Sequence, residues 1–352
     1  MARPWRVGVA GLRRGAGLLA VLASDPRVAI AGLADPDPER LAAVAAAHPG
    51  ADAVSGFDDL LRVGLDLVVI ATPMPQHAVQ SIAALDAGVH VLCEVPAVAR
   101  LDEAPALVAA VRRSRACYML AENCCYWRFT DVWRDWVLAG RLGEPMYAEA
   151  EYVHDVRSLL RDAGGKPTWR ASLSPIQYCT HSLGPLLKVI GGRCVTAVAH
   201  SSGSRMDPEL GFEDIQVALF RTDRGVPIKI LCAFGVAREP SFHTYTIYGS
   251  RGTLERPRGE DETRAYFTGA SPSREMERHP IGIRHPDAPG SASAGGHGTA
   301  EWAMARALLD ALDEGVPSPL DVFTGLEMTL PGLCALESIR RGSSPIEVPD
   351  YR

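Results

Sequence analysis

Short apolar runs alternate with stretches of helical periodicity between residues 5 and 122. The apolar runs are uniformly hydrophobic, as expected of parallel strands that are buried on both faces. Strands that alternate with helices in this way predict a right-handed, doubly wound α/β sheet, a Rossmann domain. The five predicted strands cover residues 6–10, 28–35, 67–71, 90–94 and 117–122.

A glycine-rich turn, residues 11–17, follows the first predicted strand, and we expect the next helix to begin at Leu18. Such a turn lets backbone N–H groups approach a pyrophosphate at a helix N-terminus. Gly11 opens the turn, but Arg13 stands where the second glycine of G-x-G-x-x-G would fall, and Arg14 follows it. By itself the turn therefore fits either a dinucleotide site or an ordinary tight connection.

The second predicted strand ends in a carboxylate, Asp35. A carboxylate in that position accepts hydrogen bonds from ribose hydroxyls and repels a 2′-phosphate. Asp35 therefore predicts NAD as the cofactor in preference to NADP. Arg13, Arg14 and Arg40 are the nearby cations that remain for a phosphate.

Further candidate residues follow the later strands of the predicted sheet. Ligands of doubly wound folds lie beyond the carboxyl ends of the strands. Thr72 and Pro73 follow the third strand, Glu94 ends the fourth and Asn123 follows the fifth. We therefore expect these residues to lie with Asp35 on one cofactor-binding rim.

Length and charge narrow the class of protein. The chain has 352 residues, 47% of them hydrophobic, and a net charge of -6. This length suits two domains, which we predict at residues 1–122 and 123–352. The acidic balance argues against nucleic acid or a membrane surface as a partner. No apolar run has the length of a membrane span, and the first residues lead into a strand, so we expect a cytoplasmic location.

The eight cysteines form no C-x-x-C pair and no Cys/His spacing suited to zinc. Most of them lie in apolar surroundings, which predicts buried free thiols and not a disulfide framework. The sequence indicates no metal cofactor.

Three segments of the predicted rim resemble motifs of the Gfo/Idh/MocA oxidoreductase family, in the same order and spacing. They are residues 71–77, 94–96 and 126–129, which read A-T-P-M-P-Q-H, E-V-P and Y-W-R-F. The resemblance implies a cofactor-contacting set of Thr72, Pro73, His77, Glu94 and Pro96. It also implies a second α+β domain whose open, mostly antiparallel sheet covers the nicotinamide and holds the substrate. Tyr126 and Arg128, where that domain opens, are candidate substrate contacts.

One position departs from the family pattern. Where the E-K-P motif carries a lysine that serves as, or assists, the general base, this chain has Val95. The segment with Val95 and four other segments together resemble the branch of the family that contains glycoside hydrolase family 109, the NAD-dependent glycosidases. They cover residues 94–97, 122–126, 152–157, 178–185 and 296–298. The resemblance implies that Tyr178 and His181 lie beside a carbohydrate substrate, and that the chain is a homodimer or homotetramer.

Oxidation of a secondary alcohol needs a base for the hydroxyl proton. Because Val95 cannot move a proton, His181 is the candidate base, and imidazole accepts protons near neutral pH. A helix that starts at Pro175 would place Tyr178 and His181 on one face. The alternatives are a buried histidine bonded to backbone and a tyrosine that only packs its ring.

A second polar group lies in a strand that we predict over residues 148–156. Tyr152, His154 and Asp155 are candidate contacts for substrate hydroxyls. The alternative is a surface ion pair between Asp155 and Arg157.

Trp169 and Arg170 resemble the family's W-R segment near the nicotinamide. Lys166, in the preceding loop, is a less favoured substitute for the missing lysine. Residues 256–294 are rich in proline, glycine and serine and predict a long excursion without regular structure.

Apolar residues at helical spacing predict a helix over residues 299–314. His297 precedes this helix. It is either a substrate contact or a residue of the capping region, and the motif favours the contact.

Two reactions use these parts. An NAD-dependent dehydrogenase would oxidise a ring hydroxyl, C3 in our expectation, of a sugar or aminosugar. A redox-neutral glycosidase would oxidise C3 transiently, eliminate the aglycone, add water and return the hydride. The compact chain and the residues Cys179 and Ser182, where the hydrolase motif reads Pro and Gly, favour the dehydrogenase. A nucleotide-binding regulator is a third possibility, against which the retained Tyr178, His181 and Asp155 argue.

Overall fold

A computed structural model describes residues 3–238 and 242–352, which form two compact units. The first unit comprises Met1–Tyr126, His285–Leu326 and Tyr351–Arg352, and the second comprises Trp127–Arg284 and Glu327–Asp350. The second unit starts close to the boundary that we predicted after residue 122. The segment His285–Leu326, however, packs with the first unit, because Trp5 and Arg27 both bind Asp313.

The α-helices of the described residues are α1 (Leu12–Ala23), α2 (Pro38–Ala45), α3 (Phe57–Leu61), α4 (His77–Asp86), α5 (Ala104–Arg113), α6 (Arg128–Leu138), α7 (Thr180–Ile190), α8 (Ala300–Glu314) and α9 (Val322–Arg340). Short 3-10 helices cover Met74–Gln76, Leu101–Glu103, Asn123–Tyr126, Arg157–Leu159, Trp169–Ser172, Pro175–Tyr178 and Gly290–Gly295. The helix that we predicted over residues 299–314 is confirmed as α8. No helix in the described residues is both long and apolar enough to cross a membrane.

The first unit contains a parallel sheet. Its strands are β1 (Trp5–Ala10), β2 (Val28–Ala34), β3 (Asp52–Val54), β4 (Leu67–Ile70), β5 (His90–Cys93) and β6 (Tyr118–Leu120). They lie in the order β3-β2-β1-β4-β5-β6, and every neighbouring pair is parallel. All four residues of β4 are fully buried, as a strand in the middle of such a sheet requires. The five predicted strands are confirmed. The short β3 was missed because its residues are exposed or only half-buried.

Our prediction that the first helix begins at Leu18 is wrong, since α1 begins at Leu12. Two glycines lie inside this helix because their neighbours come too close for a side chain. A Cβ on Gly15 would lie 2.8 Å from Val9 Cγ1, and one on Gly17 would lie 3.0 Å from the carbonyl oxygen of Gly295. These glycines therefore serve packing and not the turn.

The second unit contains a larger, mostly antiparallel sheet. Its strands are β7 (Pro145–Val153), β8 (Cys194–Ser201), β9 (Ile215–Thr222), β10 (Pro227–Ala233), β11 (His243–Gly249), β12 (Gly252–Arg256), β13 (Thr263–Phe267), β14 (Glu277–His279) and β15 (Ile346–Glu347). In the described residues they lie in the order β14-β13-β12-β11-β7-β10-β9-β8-β15, and β7 and β10 form the one parallel pair. The predicted fold class, a Rossmann domain followed by an α+β domain with an open antiparallel sheet, is confirmed.

Two of our predictions for the second unit gave the wrong bounds for a strand and for an irregular segment. β7 ends at Val153, so His154 and Asp155 lie beyond the strand that we predicted to continue to residue 156. The segment 256–294 is not an irregular excursion throughout, because it contains β13 and β14. β13 alternates buried and half-buried residues over Thr263–Phe267, and the buried Thr263 hydroxyl accepts the indole N–H of Trp133 at 3.0 Å.

All eight cysteines are free thiols, and each of them except Cys117 is buried. The predicted buried free thiols are therefore confirmed for the other seven.

Candidate functional site

The turn after β1 consists of a single glycine, Gly11. Its φ is 85°, in the left-handed region that favours glycine, and a Cβ there would lie 2.4 Å from the carbonyl oxygen of Ala71. α1 begins at the next residue, where the Leu12 N–H donates to Asp35 Oδ2 at 2.8 Å. Arg13 is exposed on the same turn. The turn and the carboxylate that follows β2 are thus joined, which is the arrangement typical of a dinucleotide site.

Asp35 is 4% exposed, and its other oxygen accepts hydrogen bonds from the Asp37 N–H and from Arg40 Nη1, both at 2.9 Å. The sequence analysis named Arg40 as one of three cations that could bind a 2′-phosphate. In the structure it is bound to the carboxylate, so Asp35 and Arg40 fit a ribose with free hydroxyls.

His77 joins the two loops that follow β4 and β5. Its Nδ1 lies 2.8 Å from the carbonyl oxygen of Pro96 and its Nε2 lies 2.9 Å from that of Thr72. Because a carbonyl oxygen only accepts hydrogen bonds, a hydrogen bond at both positions requires a proton on each ring nitrogen. Burial works against this charge, but the Cys93 sulfur and the two carbonyls outweigh it and raise the pKa of His77 to about 9. His77 therefore links the two loops, and its raised pKa favours the protonated ring at neutral pH.

The other residues of these loops have separate partners. Thr72 Oγ1 donates to Gln80 Oε1 at 2.6 Å, Pro73 is exposed and Pro96 is buried. Tyr126, in the 3-10 turn after β6, is half-buried, and its carbonyl oxygen accepts a hydrogen bond from His285 Nε2 at 2.9 Å.

An ion-pair network connects the predicted residues Arg14, Glu94, Asn123 and His297. Arg14 Nε lies 2.9 Å from Glu94 Oε1, and Arg14 Nη2 lies 3.4 Å from Glu301 Oε1. Asn123 Nδ2 donates to the same Glu301 oxygen at 3.0 Å. We did not predict Glu301 as a site residue. The signal was its place in the first turn of α8, four residues after His297.

In the second unit, the Tyr178 and His181 side chains lie close together. Our prediction of a single helix for both is wrong, because Tyr178 ends the 3-10 helix Pro175–Tyr178 and His181 lies in the first turn of α7. Pro175 does occupy the first turn of its helix, as expected. The two ring centroids are nevertheless 6.2 Å apart, because the 3-10 helix that Tyr178 ends leads directly into α7.

An aromatic cluster surrounds this pair. Besides Tyr178 and His181 it contains Tyr152, His154, Phe234, Phe242 and His243. The Tyr152 ring meets the His181 ring edge-on at 5.5 Å, and the Tyr152 hydroxyl lies 3.1 Å from His154 Nδ1. Four of our candidates, Tyr152, His154, Tyr178 and His181, therefore belong to one cluster.

The cluster also contains a histidine that the sequence analysis missed. His243 is paired in register with Tyr152 across β11 and β7, and the two rings stack at 4.5 Å. Tyr245, two residues further on, donates its hydroxyl to the carbonyl oxygen of His181 at 2.5 Å. The alternation along His243–Gly249 was readable from the sequence, but its pairing with β7 was not.

Asp155 lies outside this cluster of rings. Its two oxygens bind Arg157 Nε at 2.8 Å and Nη2 at 2.6 Å, and both residues are partly exposed. These contacts favour the ion pair over the substrate contact.

Arg128, Trp169 and Arg170 occupy other positions of the second unit. Arg128 begins α6, and the Arg170 guanidinium lies 4.5 Å from the centroid of the Trp169 ring. Lys166 is exposed in a turn closed by Asp162, with no feature that indicates a base.

Two family models match the chain. Residues 5–122 match the model of the oxidoreductase family with an NAD-binding Rossmann fold, and residues 132–255 match the GFO/IDH/MocA C-terminal domain. The predicted NAD cofactor is thereby confirmed.

The chain is similar to known proteins of more than one activity. A glycosyl hydrolase family 109 protein of Solibacter usitatus is 30% identical, over 84% of this chain and 73% of its own. An α-N-acetylgalactosaminidase of Bacteroides fragilis is 26% identical, over 87% of this chain and 80% of its own. A solved structure of levoglucosan dehydrogenase with NADH and levoglucosan has a TM-score of 0.83 at 20% identity, over 99% of this chain and 100% of its own.

Proposed function

Because the chain belongs to the Gfo/Idh/MocA oxidoreductase family, in the branch similar to glycosyl hydrolase family 109, we propose that it oxidises a ring secondary hydroxyl of a sugar or aminosugar. C3 is the carbon that we propose. The observation that carries the proposal is the cluster in which His181 lies among the rings of Tyr152 and Tyr178. Aromatic surfaces with a few fixed polar groups are typical of small-molecule sites.

His181 takes the hydroxyl proton in this reaction. The C3–H bond breaks and its electron pair leaves as hydride, the O–H bond breaks and its proton goes to the imidazole, and a carbonyl forms. Tyr245 donates a hydrogen bond to the carbonyl oxygen of His181, and Tyr152 packs edge-on against its ring. A base held in this way contributes about 10²–10⁴-fold to such a step.

The residues at the carboxyl ends of β1, β2, β4 and β5 fit a dinucleotide. NAD, when bound, supplies the hydride acceptor. In our proposal the backbone at Gly11 and the first turn of α1, with Arg13, bind the pyrophosphate. Asp35 accepts hydrogen bonds from the ribose hydroxyls. The two loops that His77 links contact the nicotinamide half of the cofactor. Trp169 and Arg170 are proposed as further cofactor contacts. Tyr126, Arg128, His154 and His297 are proposed as substrate contacts.

The second candidate is a redox-neutral glycosidase, which the similarity to an α-N-acetylgalactosaminidase over most of both chains favours. Its first step is the same oxidation at C3. The ketone acidifies the C2 hydrogen, which Tyr178 would remove, and the bond from C1 to the aglycone oxygen breaks. Water then adds and the hydride returns to C3, so that no net oxidation occurs.

The two candidates differ in their products. We propose to incubate the protein with sugars, aminosugars and their glycosides in the presence of NAD. NADH that accumulates in proportion to substrate indicates the dehydrogenase. Released aglycone without accumulated NADH, together with solvent deuterium at C2, indicates the glycosidase. If neither product forms while NAD binds, the proposed function is wrong.

The role of His181 is tested separately. His181→Ala should bind NAD as the wild type does and lose about 10²–10⁴-fold in hydride transfer. His200→Ala, an exposed histidine of β8 in the same unit, serves as the control and should keep its rate. Unchanged hydride transfer in His181→Ala would refute the assignment.

We also propose that a second copy of the chain covers the outer face of the larger sheet. Leu219 is 54% exposed there, and Tyr147 and Tyr248 stack on the same face at 6.0 Å. Light scattering should give the mass of a dimer or tetramer, and Leu219→Arg should lower it. The cytoplasmic location stays a prediction.

A further inference from the structure

The segment before α8 is a glycine turn around one side chain, that of His297. Gly296 and Gly298 flank it with φ values of 94° and 73°. Both values lie in the left-handed region, where other residues cost about 1–2 kcal/mol. The His297 side chain between them is 42% exposed. The G-H-G sequence therefore describes a tight backbone turn with an accessible imidazole at its centre.

A buried carboxylate orients this imidazole. Glu301 is 0% exposed, and its Oε1 lies 2.5 Å from His297 Nδ1. Burial by itself raises the pKa of Glu301, but His297 and Arg14 outweigh it and lower the pKa to about 2. A charged carboxylate only accepts hydrogen bonds, so Nδ1 carries the proton. The other ring nitrogen, Nε2, is then the atom through which the ring can exchange a proton with a ligand.

The surrounding glycines make room for the carboxylate. A Cβ on Gly295 would lie within 2.6–2.7 Å of the Glu301 side chain, so only glycine fits there. A Cβ on Gly17 of α1 would lie 3.0 Å from the carbonyl oxygen of Gly295, which is closer than most side chains pack. Arg14 of the same helix lies 3.4 Å from Glu301.

The pair is connected to the loop after β5. Arg14 bridges Glu301 and Glu94, and Glu94 precedes Val95. Because valine carries no titratable group, His297 is the ionisable ring of this network.

We propose that His297, oriented by Glu301, is a second proton-transfer residue, in addition to His181, and that it protonates the leaving oxygen of a glycoside. The inference rests on the proposed oxidation at C3. Oxidation alone releases one hydroxyl proton and needs one acceptor. Elimination breaks the bond from C1 to the aglycone oxygen, and the electron pair on that oxygen takes the proton from His297 Nε2. The neutral imidazole then takes a proton from the water that adds at C1, which restores the starting state.

The test compares leaving groups. The substrates are the nitrophenyl and methyl glycosides of one aminosugar, with NAD-loaded protein. A nitrophenolate leaves without help, whereas a methoxide needs an acid. His297→Asn keeps a donor close to the position of Nδ1 but cannot transfer a proton. We expect it to cleave the methyl glycoside about 10²-fold or more slowly and the nitrophenyl glycoside within about 5-fold of the wild type. Hydride transfer in a single turnover should fall by no more than the nitrophenyl glycoside cleavage does.

A second variant and a control separate proton transfer from packing. His297→Ala should lose the same activity, and added imidazole should restore it in this variant but not in His297→Asn. His285→Gln keeps a donor at the position of the His285 Nε2, which bonds the Tyr126 carbonyl, and should cleave both glycosides at the wild-type rate.

The contrary outcomes are distinct. Equal losses on both glycosides, or no loss on either, would overturn the proposal in favour of a structural role. NADH accumulation without any glycoside cleavage by the wild type would overturn it while leaving the proposed oxidation intact. Absence of both reactions would remove the proposed function as well.

Discussion

The two units present different kinds of polar chemistry. In the first unit, the candidate residues are fixed charges held by other charges and by backbone, as in Arg14 with Glu94 and His77 between two carbonyls. In the second unit, they are rings that contact other rings, as in Tyr152 with His181 and His243. The first arrangement suits a ligand bound through charges and hydrogen bonds, and the second suits a ligand with an apolar face.

The contacts behind these two arrangements also differ. In the first unit they depend on close backbone approach at glycines, as at Gly11 against Ala71. In the second unit they depend on strand pairing, which stacks rings that are distant in the sequence, as in Tyr152 and His243.

Gly11→Ala should destabilise the first unit the most. The new Cβ would meet the Ala71 carbonyl and would occupy a left-handed conformation, costs that together amount to about 2–5 kcal/mol. Urea unfolding measures the loss. Gly64→Ala is the matched control, because Gly64 has a φ of 81° but no atom within 4 Å of its Cβ position. Equal losses in the two variants would show that close approach contributes nothing.

The buried charge of His77 predicts a pH-dependent stability. Its pKa in the folded state is about 9, above the ordinary 6.5, so its contribution is complete below pH 6.5 and is lost as the pH rises through 9. The loss across this window is about 3 kcal/mol. Urea unfolding from pH 6 to pH 10 should show it in the wild type, and His77→Gln should show a flatter profile. Parallel profiles would mean that His77 is neutral when folded.

Tyr245→Phe tests the rings of the second unit. Losing the hydroxyl leaves the His181 carbonyl without this donor, which costs about 1–2 kcal/mol, and frees the backbone that positions the proposed base. We expect a lower kcat with little change in KM. Tyr248→Phe, on the same strand but 41% exposed, is the control and should leave kcat unchanged. A kcat for Tyr245→Phe equal to that of the control would remove the positioning role.

Asp155→Asn should have the smallest effect. A partly exposed ion pair such as that with Arg157 contributes about 0–1 kcal/mol. KM should then stay within about 2-fold of the wild type, as for Arg157→Ala. A KM that rises tenfold in Asp155→Asn alone would restore Asp155 as a substrate contact.

Much of the site follows from local sequence patterns. Gly11 and Asp35 were identifiable because a strand, a turn and a terminal carboxylate lie within one βαβ unit, where connectivity fixes their relative positions. The His297–Glu301 pair was also within reach, since residues four apart meet at the start of a helix. The start of α1 was mistaken because glycines that serve packing look the same in a sequence as glycines that serve a turn.

The sequence by itself determined the alternation of strands and helices, the cofactor and the motifs, because these depend on neighbours along the chain. Only the tertiary structure decided that Arg40 binds Asp35 and that Glu301 joins Arg14 and Asn123. It also decided that His243 stacks on Tyr152, since the register of β11 on β7 sets which rings meet. Such contacts join residues that are far apart in the chain, and their pairing depends on packing that no local pattern encodes.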